Sequence, residues 1–147
     1  MTHLHLRYID EERDCLACFP VMLELRPHLS GPEDFASQVR RQAGQGYRLL
    51  AAYQAEQEER VVGLAGYRLQ ENLLYGRFLY VDDLVVSATT RGRSIGQRLI
   101  GALRQEAGRQ ACRYLVLDTG LANALAQRFY FRQGLLSKGL HFSEAMQ

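Results

Sequence analysis

Two periodicities of apolar residues divide the N-terminal third of the chain. Residues 3–8 alternate polar and apolar side chains, which is the period of a half-buried strand. Asp10 then stands where a helix cap is expected, and we predict a first helix that carries Cys15 and ends near Pro20. Apolar residues recur every four positions from Phe35, which predicts a second helix ended by Gly44.

From residue 47 the pattern becomes that of an extended chain. β-Branched and aromatic residues are concentrated in residues 47–53, 61–69 and 77–86, and polar turns at 54–60 and 70–76 separate them. Connections this short join antiparallel neighbours. We therefore predict three consecutive antiparallel strands.

The last third of the chain begins with a helical period. Apolar residues fall on one face from Ile95 onward, Gly108 is the expected stop, and a buried strand is predicted at 114–117. A helix from Asn123 and a final extended piece at 135–142 complete the order β-α-α-β-β-β-α-β-α-β. Because a helix joins the strand at 77–86 to the strand at 114–117, we expect those two strands to be parallel neighbours.

Length and composition indicate one folded domain over residues 1–147. Hydrophobic residues make up 47% and charged residues 23%, which is typical of a globular protein and excludes a disordered or collagen-like chain. No window approaches the ~18 uninterrupted apolar residues of a membrane helix, and the N-terminus lacks the layout of a secretion signal. We therefore expect a cytoplasmic protein without a membrane partner. The net charge of +2 is too small to favour nucleic acid as a partner.

The three cysteines, Cys15, Cys18 and Cys112, cannot all pair with one another, and an odd number suits a reducing compartment. The spacing of Cys15 and Cys18 also occurs in redox and metal sites. No second pair completes a zinc site, however, and the surrounding sequence is not thioredoxin-like. We expect small buried thiols on a helix and no metal.

The segment before the third predicted helix has the composition of an anion-binding turn. A short polar loop after residues 80–86 leads into a basic turn made of Arg91, Gly92, Arg93, Ser94, Ile95 and Gly96. The first backbone N–H groups of a helix have no internal partner and lie at the positive end of its dipole, so they bind phosphate oxygens. The two arginines add positive charge, and the two glycines allow close approach of the backbone.

The turn is neither a P-loop, because the Lys-Ser/Thr pair is missing, nor a dinucleotide-binding fingerprint. It resembles the acyl-coenzyme A pyrophosphate loop of the GNAT N-acetyltransferase superfamily, written Gln/Arg-x-x-Gly-x-Gly/Ala, with Ser94 where the family usually has glycine. Residues 123–135 are similar to the family's Asn-x-x-Ala-x-x-Phe-Tyr-x-x-x-Gly-Phe signature, with Leu135 in place of the final aromatic residue. The resemblance extends over residues 47–135 and is looser before them.

The resemblance implies the GNAT fold, an α/β (α+β) arrangement in which a single mixed, mostly antiparallel sheet is flanked by helices on both faces. It also implies acetyl-coenzyme A as cosubstrate, bound through residues 91–96 and Asn123. The backbone of Leu84, Val85 and Val86 would bond the pantetheine arm and polarise the thioester. Tyr130 lies seven residues after Asn123, on nearly the same helical face, and would contact the cofactor and protonate the departing thiolate. Asn123 also suits a helix cap.

Two adjacent carboxylates are candidates for the base that receives the amine proton, because an aliphatic amine is mostly protonated at neutral pH. Members of the family that act on polyamines and small amines have an acidic residue at the position of Asp82, which we rank before Asp83. Neighbours on a strand point to opposite faces, so only one of them can face the amine unless a bulge intervenes. Solvated or ion-paired carboxylates, with water as the base, are the alternative.

These features predict an N-acetyltransferase that transfers an acetyl group to a primary amine of a small molecule, peptide or protein by direct attack in a ternary complex. A ping-pong route is disfavoured because no cysteine falls in the motif segments. The alternative is an acyl-coenzyme A-binding regulatory or sensor module without turnover. The resemblance also implies a homodimer. Acceptor specificity is expected from the hairpin near Tyr75 and from residues 19–32, where the candidate wall residues are Met22, Glu24, Arg26 and His28.

Overall fold

The strands and helices follow the predicted order as far as the last helix. The computed structural model describes residues 3–55, 59–90 and 94–147. In these residues the strands are β1 (His3–Tyr8), β2 (Arg48–Ala55), β3 (Glu59–Asn72), β4 (Gly76–Val86) and β5 (Tyr114–Leu117). The α-helices are α1 (Glu12–Leu25), α2 (Pro32–Ala43), α3 (Ile95–Arg109) and α4 (Ala124–Arg132).

The chain divides into two compact units, Met1–Val116 and Leu117–Gln147. The first unit contains the four long strands with α1, α2 and α3, and the second contains α4. A single domain over residues 1–147 stays a prediction.

The strands form one sheet in the order β1-β2-β3-β4-β5. β1, β2, β3 and β4 pair as consecutive antiparallel neighbours, as the short polar turns predicted. β5 lies beside β4, and the amide of Arg113, just before β5, donates to the carbonyl of Arg77 at the start of β4 over 2.7 Å. The predicted mixed sheet is confirmed, because the crossover through α3 adds β5 to an otherwise antiparallel set.

Helices cover both faces of this sheet. On β3, the side chain of Leu64 packs in the core shared with α1 and α2. A Cβ atom placed on the neighbouring Gly63 would instead lie 2.9 Å from Cγ2 of Ile95 in α3. Consecutive strand residues point to opposite faces, so α3 lies opposite α1 and α2. The lack of a side chain at Gly63 lets the first turn of α3 approach the sheet closely.

A β-bulge interrupts β4 at Asp82. Gly66 on β3 pairs with Asp83 and Tyr67 pairs with Val81, which leaves Asp82 as the surplus residue. Alternation along β4 therefore changes phase here, and the side chains of Asp82 and Asp83 are not required to point to opposite faces. The bulge that the sequence analysis left open is present.

Two predicted boundaries of the first helix are wrong. α1 does not end near Pro20 but continues to Leu25, and its N-cap is Glu11 rather than Asp10. Pro20 lies on the exposed side of the helix, whereas Val21 and Met22 are buried in the core. Packing of that buried face therefore offsets the backbone hydrogen bond that the proline removes. None of the described helices is long and apolar enough to cross a membrane.

The predicted extended piece at 135–142 does not form a strand. No secondary structure is assigned over residues 135–147 of the second unit, where the side chains of Leu136, Leu140 and Phe142 are exposed. An apolar pattern yields a strand only where a neighbouring strand supplies hydrogen bonds.

Candidate functional site

Asp83 is held at the centre of hydrogen bonds from two other elements. Its Oδ1 atom accepts from Nε of Arg26, the residue that follows α1, over 3.0 Å. Its Oδ2 atom accepts from the hydroxyl of Tyr47 over 2.8 Å. Nη2 of Arg26 also donates to the backbone carbonyl of Asp82 over 2.8 Å. Arg26 therefore fastens the end of α1 to the bulge in β4.

Asp82 is paired with a second arginine. Nε and Nη2 of Arg68 on β3 donate to the two carboxylate oxygens of Asp82 over 2.9 and 2.7 Å, which is a bidentate ion pair. Arg68 lies two residues after Gly66, so both point to the face that carries Tyr47. The side chains of both aspartates therefore make their hydrogen bonds on the face of the sheet that α1 and α2 cover. We call the following residues the aspartate cluster: Arg26, Tyr47, Arg68, Asp82 and Asp83.

Tyr47 is the buried member of this cluster and acts as a neutral hydrogen-bond donor. Burial, and then the negative charge of Asp83, raise the pKa of Tyr47 well above its ordinary value. The ring fits only because position 66 is glycine, since a Cβ atom there would overlap the Oη and Cζ atoms of Tyr47. Gly66 is therefore a structural requirement of the cluster.

The first turn of α3 has an N-terminus suited to an anion. Ser94 is the N-cap residue, its side chain makes no capping hydrogen bond, and the first turn, which holds Ile95 and Gly96, has no acidic residue. The φ angle of Ser94 is +61°, in the left-handed region that favours glycine. This conformation explains why glycine suits that position of the loop. The predicted Arg91, Gly92 and Arg93 lie outside the described residues.

A cavity of about 480 Å³ lies beside α3. It is lined by Ser94, Gln97 and Arg98 on the helix and by Leu6 on β1, among others. The cavity shares no residue with the aspartate cluster, which lies on the other face of the sheet.

Leu84, Val85 and Val86 form the C-terminal end of β4. On one side they pair with Ala65, Leu64 and Gly63 of β3. β5 is four residues long and starts beside the beginning of β4, so it ends before the level of Leu84. The peptide groups of residues 84–86 on the side away from β3 are therefore not covered by β5.

The candidate wall residues on and after α1 have different environments. Met22 is buried in the core, and Glu24 reaches the end of β4, where its Oε1 atom accepts from the amide of Ala88 over 2.9 Å. His28 is exposed. Tyr75 packs against Tyr114, with ring centroids 5.0 Å apart.

In the second unit, Asn123 and Tyr130 lie on α4. Oδ1 of Asn123 accepts from the amide of Ala126 over 3.1 Å, so Asn123 is the helix cap. Burial raises the pKa of Tyr130, whose ring packs against Phe129 at 5.5 Å between centroids. The chain leaves α4 through Gly134, whose φ of +89° accounts for the glycine in the second motif.

The cysteines of α1 are buried thiols, as predicted. Burial raises the pKa of Cys15 to about 11 and that of Cys18 to about 12, so both are protonated at neutral pH and weak nucleophiles. Within the part of the chain that the structure describes, no three His, Cys, Asp or Glu residues lie together as a metal site.

The sequence analysis missed Tyr47 and Arg68 and identified Arg26 only as a wall residue. Tyr47 is 36 positions from Asp83, and Arg26 is 57, so no local spacing connects them. Arg68 is 14 positions from Asp82 across a hairpin. The contact between Arg68 and Asp82 depends on the bulge in β4, which the sequence does not show.

Comparison with known proteins identifies the relatives of this chain. The model of the acetyltransferase (GNAT) family matches residues 12–135. An aminoalkylphosphonate N-acetyltransferase of Salmonella typhimurium is 29% identical over 87 residues, which are 58% of this chain and 56% of that protein. The match therefore spans little more than half of that relative's length.

Solved structures share the fold. An acetyltransferase of Trypanosoma brucei has a TM-score of 0.80 and 21% identity, covering 98% of this chain and 100% of its own. The aminoglycoside N-acetyltransferase AAC(6')-Iy in complex with CoA has a TM-score of 0.84 and 14% identity, covering 100% of this chain and 97% of its own. At these identities the likeness shows the fold alone.

Proposed function

The chain belongs to the acetyltransferase (GNAT) family, and from this membership we propose that it transfers the acetyl group of acetyl-coenzyme A to a primary amine by direct attack in a ternary complex. The relative named above for an aminoalkylphosphonate supports an amine as acceptor. The family alone implies acetyl-coenzyme A as the donor.

One observation carries the proposal: the first α-helix after the strand that bears two aspartates has no acidic residue in its first turn and no side-chain cap at Ser94. The amides of Ile95, Gly96 and Gln97 in the first turn have no carbonyl partner within the helix. They and the helix dipole would hold the cofactor's diphosphate, and we assign Arg91 and Arg93 to the same anion. Gly63 keeps this turn against the sheet.

The end of β4 suits the acyl-carrying arm. Peptide groups of Leu84, Val85 and Val86 that β5 does not cover are available to bond the amide groups of the pantetheine, as the family resemblance implies. A backbone N–H here would polarise the thioester carbonyl and stabilise negative charge on its oxygen. The cosubstrate itself supplies the activated acyl group. Holding it beside the acceptor lowers the entropic cost of the reaction.

The transfer needs two proton movements. The amine nitrogen forms its bond to the carbonyl carbon, the carbon–sulfur bond breaks, and the nitrogen loses one proton. We assign acceptance of that proton to Asp82 or Asp83, directly or through water, because the bulge lets both serve one face of the sheet. We assign Tyr130 as the donor to the departing sulfur. A phenol carries its proton at neutral pH even at its ordinary pKa, so Tyr130 can act as the donor; burial raises that pKa further, which makes the phenol a weaker acid.

Release of free coenzyme A, measured with a thiol reagent against a library of primary amines, tests the activity. Tyr130→Phe should lower kcat about 100-fold or more while the dissociation constant of acetyl-coenzyme A changes little. Tyr114→Phe, at a half-exposed position of β5, is the matched control and should retain the full rate. An unchanged kcat in Tyr130→Phe would remove Tyr130 from the acid role.

The experiment also separates the sensor alternative. Binding of acetyl-coenzyme A by calorimetry without thiol release from any amine would refute the transferase and support a regulatory module. Absence of binding under several buffers would refute both. The homodimer and the cytoplasmic location stay predictions.

A further inference from the structure

The two ion pairs of the aspartate cluster are exposed unequally. The side chain of Arg26 is 42% exposed, whereas that of its partner Asp83 is 14% exposed. The side chain of Arg68 is 30% exposed, against 18% for Asp82. The aspartate side chains are therefore largely covered, and the arginine side chains are the more accessible part of the cluster.

Both guanidinium groups retain donors for a further partner. Arg68 uses Nε and Nη2 on Asp82, and Arg26 uses Nε and Nη2 on Asp83 and the Asp82 carbonyl. Within the described chain, the Nη1 atom of each makes no hydrogen bond. Since a guanidinium has five N–H donors in a planar fork, each arginine can bind an oxyanion while keeping its aspartate.

The two arginines converge on one residue. Each donates to Asp82, Arg26 to its carbonyl over 2.8 Å and Arg68 to its carboxylate over 2.7 Å. They are therefore adjacent on the face covered by α1 and α2. At the arginines, a second charged group of the acceptor would meet the more exposed positive side chains first, which favours an oxyanion there over a second ammonium group.

We propose that Arg26 and Arg68 recognise an oxyanion on the acceptor, so that the acetylated amine belongs to a molecule that also carries a carboxylate, phosphonate or phosphate. The inference rests on the proposed function and names the substrate class of the same site. Leu84 lies two residues beyond Asp82, or about 7 Å along the strand. The amine and the anion should therefore be separated by a short linker.

Matched acceptors test this assignment. Thiol release is measured with 3-aminopropylphosphonate, 4-aminobutanoate, butylamine and 1,4-diaminobutane, which differ mainly in the group opposite the amine. We expect kcat/KM for the phosphonate or the carboxylate to exceed that for butylamine at least tenfold, and 1,4-diaminobutane to be the poorest substrate. The first two compounds distinguish the two oxyanions.

Substitutions of the arginines complete the test. Arg26→Gln and Arg68→Gln should each lower the ratio of kcat/KM for the preferred anionic amine to kcat/KM for butylamine by about 10- to 100-fold. Because both arginines also hold Asp82 or Asp83, a loss common to all amines is expected as well, and the ratio is the quantity that tests the inference. Arg68→Lys, which keeps the charge beside Asp82 but loses the fork, should fall between Arg68→Gln and the parent. Arg40→Gln is the matched control, because Arg40 is also paired with a carboxylate, that of Glu12, but lies outside the cluster.

The outcomes separate this inference from the proposed function. Equal losses for anionic and neutral amines would show a structural role and overturn the inference, as would turnover that prefers neutral amines or diamines. Calorimetric binding of 3-aminopropylphosphonate in the presence of coenzyme A is measured in parallel. If no amine is acetylated but this binding is lost in Arg26→Gln and Arg68→Gln, the proposed function fails and the recognition site stands. Absence of such binding together with absence of turnover overturns both.

Discussion

Gly66→Ala should damage the aspartate cluster without touching any charged group. The added Cβ atom would overlap Oη and Cζ of Tyr47 and lie 2.7 Å from its Cε1 atom. The strand backbone cannot retreat, because Gly66 is paired with Leu49 on one side and Asp83 on the other. The ring of Tyr47 must therefore move, and its hydroxyl loses Asp83.

The expected cost combines two effects. Forcing an extra carbon into a packed interior costs about 1–3 kcal/mol. Losing a buried hydrogen bond to a charged group costs about 1.5–3 kcal/mol. We therefore expect Gly66→Ala to lower the free energy of unfolding by about 3 kcal/mol or more, which is a large share of the ~5–15 kcal/mol typical of a domain.

Urea unfolding followed by circular dichroism measures this loss, and two comparisons identify its cause. In a Tyr47→Leu background the three Tyr47 atoms closest to the added Cβ are absent, so Gly66→Ala should cost less than about 1 kcal/mol. Gly101→Ala in α3 meets nothing within 4 Å and should stabilise the protein by about 0.5–1 kcal/mol. An equal cost of Gly66→Ala in both backgrounds would refute the proposed contact with Tyr47.

Two further predictions concern α3. Ser94→Gly should relieve a left-handed serine, raise the free energy of unfolding by up to about 1 kcal/mol and tighten the binding of acetyl-coenzyme A. Ala111→Gly, at a residue with φ of +56°, should raise the free energy of unfolding without changing that binding. Urea unfolding and calorimetry measure the two quantities, and equal effects of the two variants on binding would contradict the role of Ser94. Burial opposes ionisation of Glu106, yet hydrogen bonds from Arg109 and Tyr67 lower its pKa below the ordinary 4.5. The stability from Glu106 is therefore present above pH ~4.5 and is lost as the pH falls through the lowered value. In Glu106→Gln the melting temperature should fall less steeply between pH 7 and pH 3 than in the parent protein. An equally steep fall in the variant would contradict this.

Local sequence patterns predicted the helices and strands whose conformation depends mainly on their own residues. The apolar run at Tyr114–Leu117 is the strand β5, and the glycines after residue 43 end α2. The prediction for α1 was wrong because the effect of Pro20 depends on which side of the helix it occupies. Packing of Val21 and Met22 in the core determines which side that is. The residues that form this core lie far away in the sequence, so the local pattern does not predict it.

The candidate site was predictable only in part, for a related reason. Asp82 and Asp83 were identified as functional candidates from the family resemblance and the need for a base, but their partners lie just after α1, on β3 and just before β2. Such contacts depend on strand register and on a single surplus residue. Periodicity along one segment carries no information about either.

The surplus residue at Asp82 has a consequence for engineering. A strand that alternates strictly can offer two consecutive acidic residues only to opposite sides, whereas the bulge lets them work as a pair. Anyone transplanting this pair into another scaffold would need to carry the irregularity with it. Deleting one residue between Tyr80 and Leu84 would restore regular strand pairing. It would also end the arrangement in which two adjacent aspartates work on one face of the sheet.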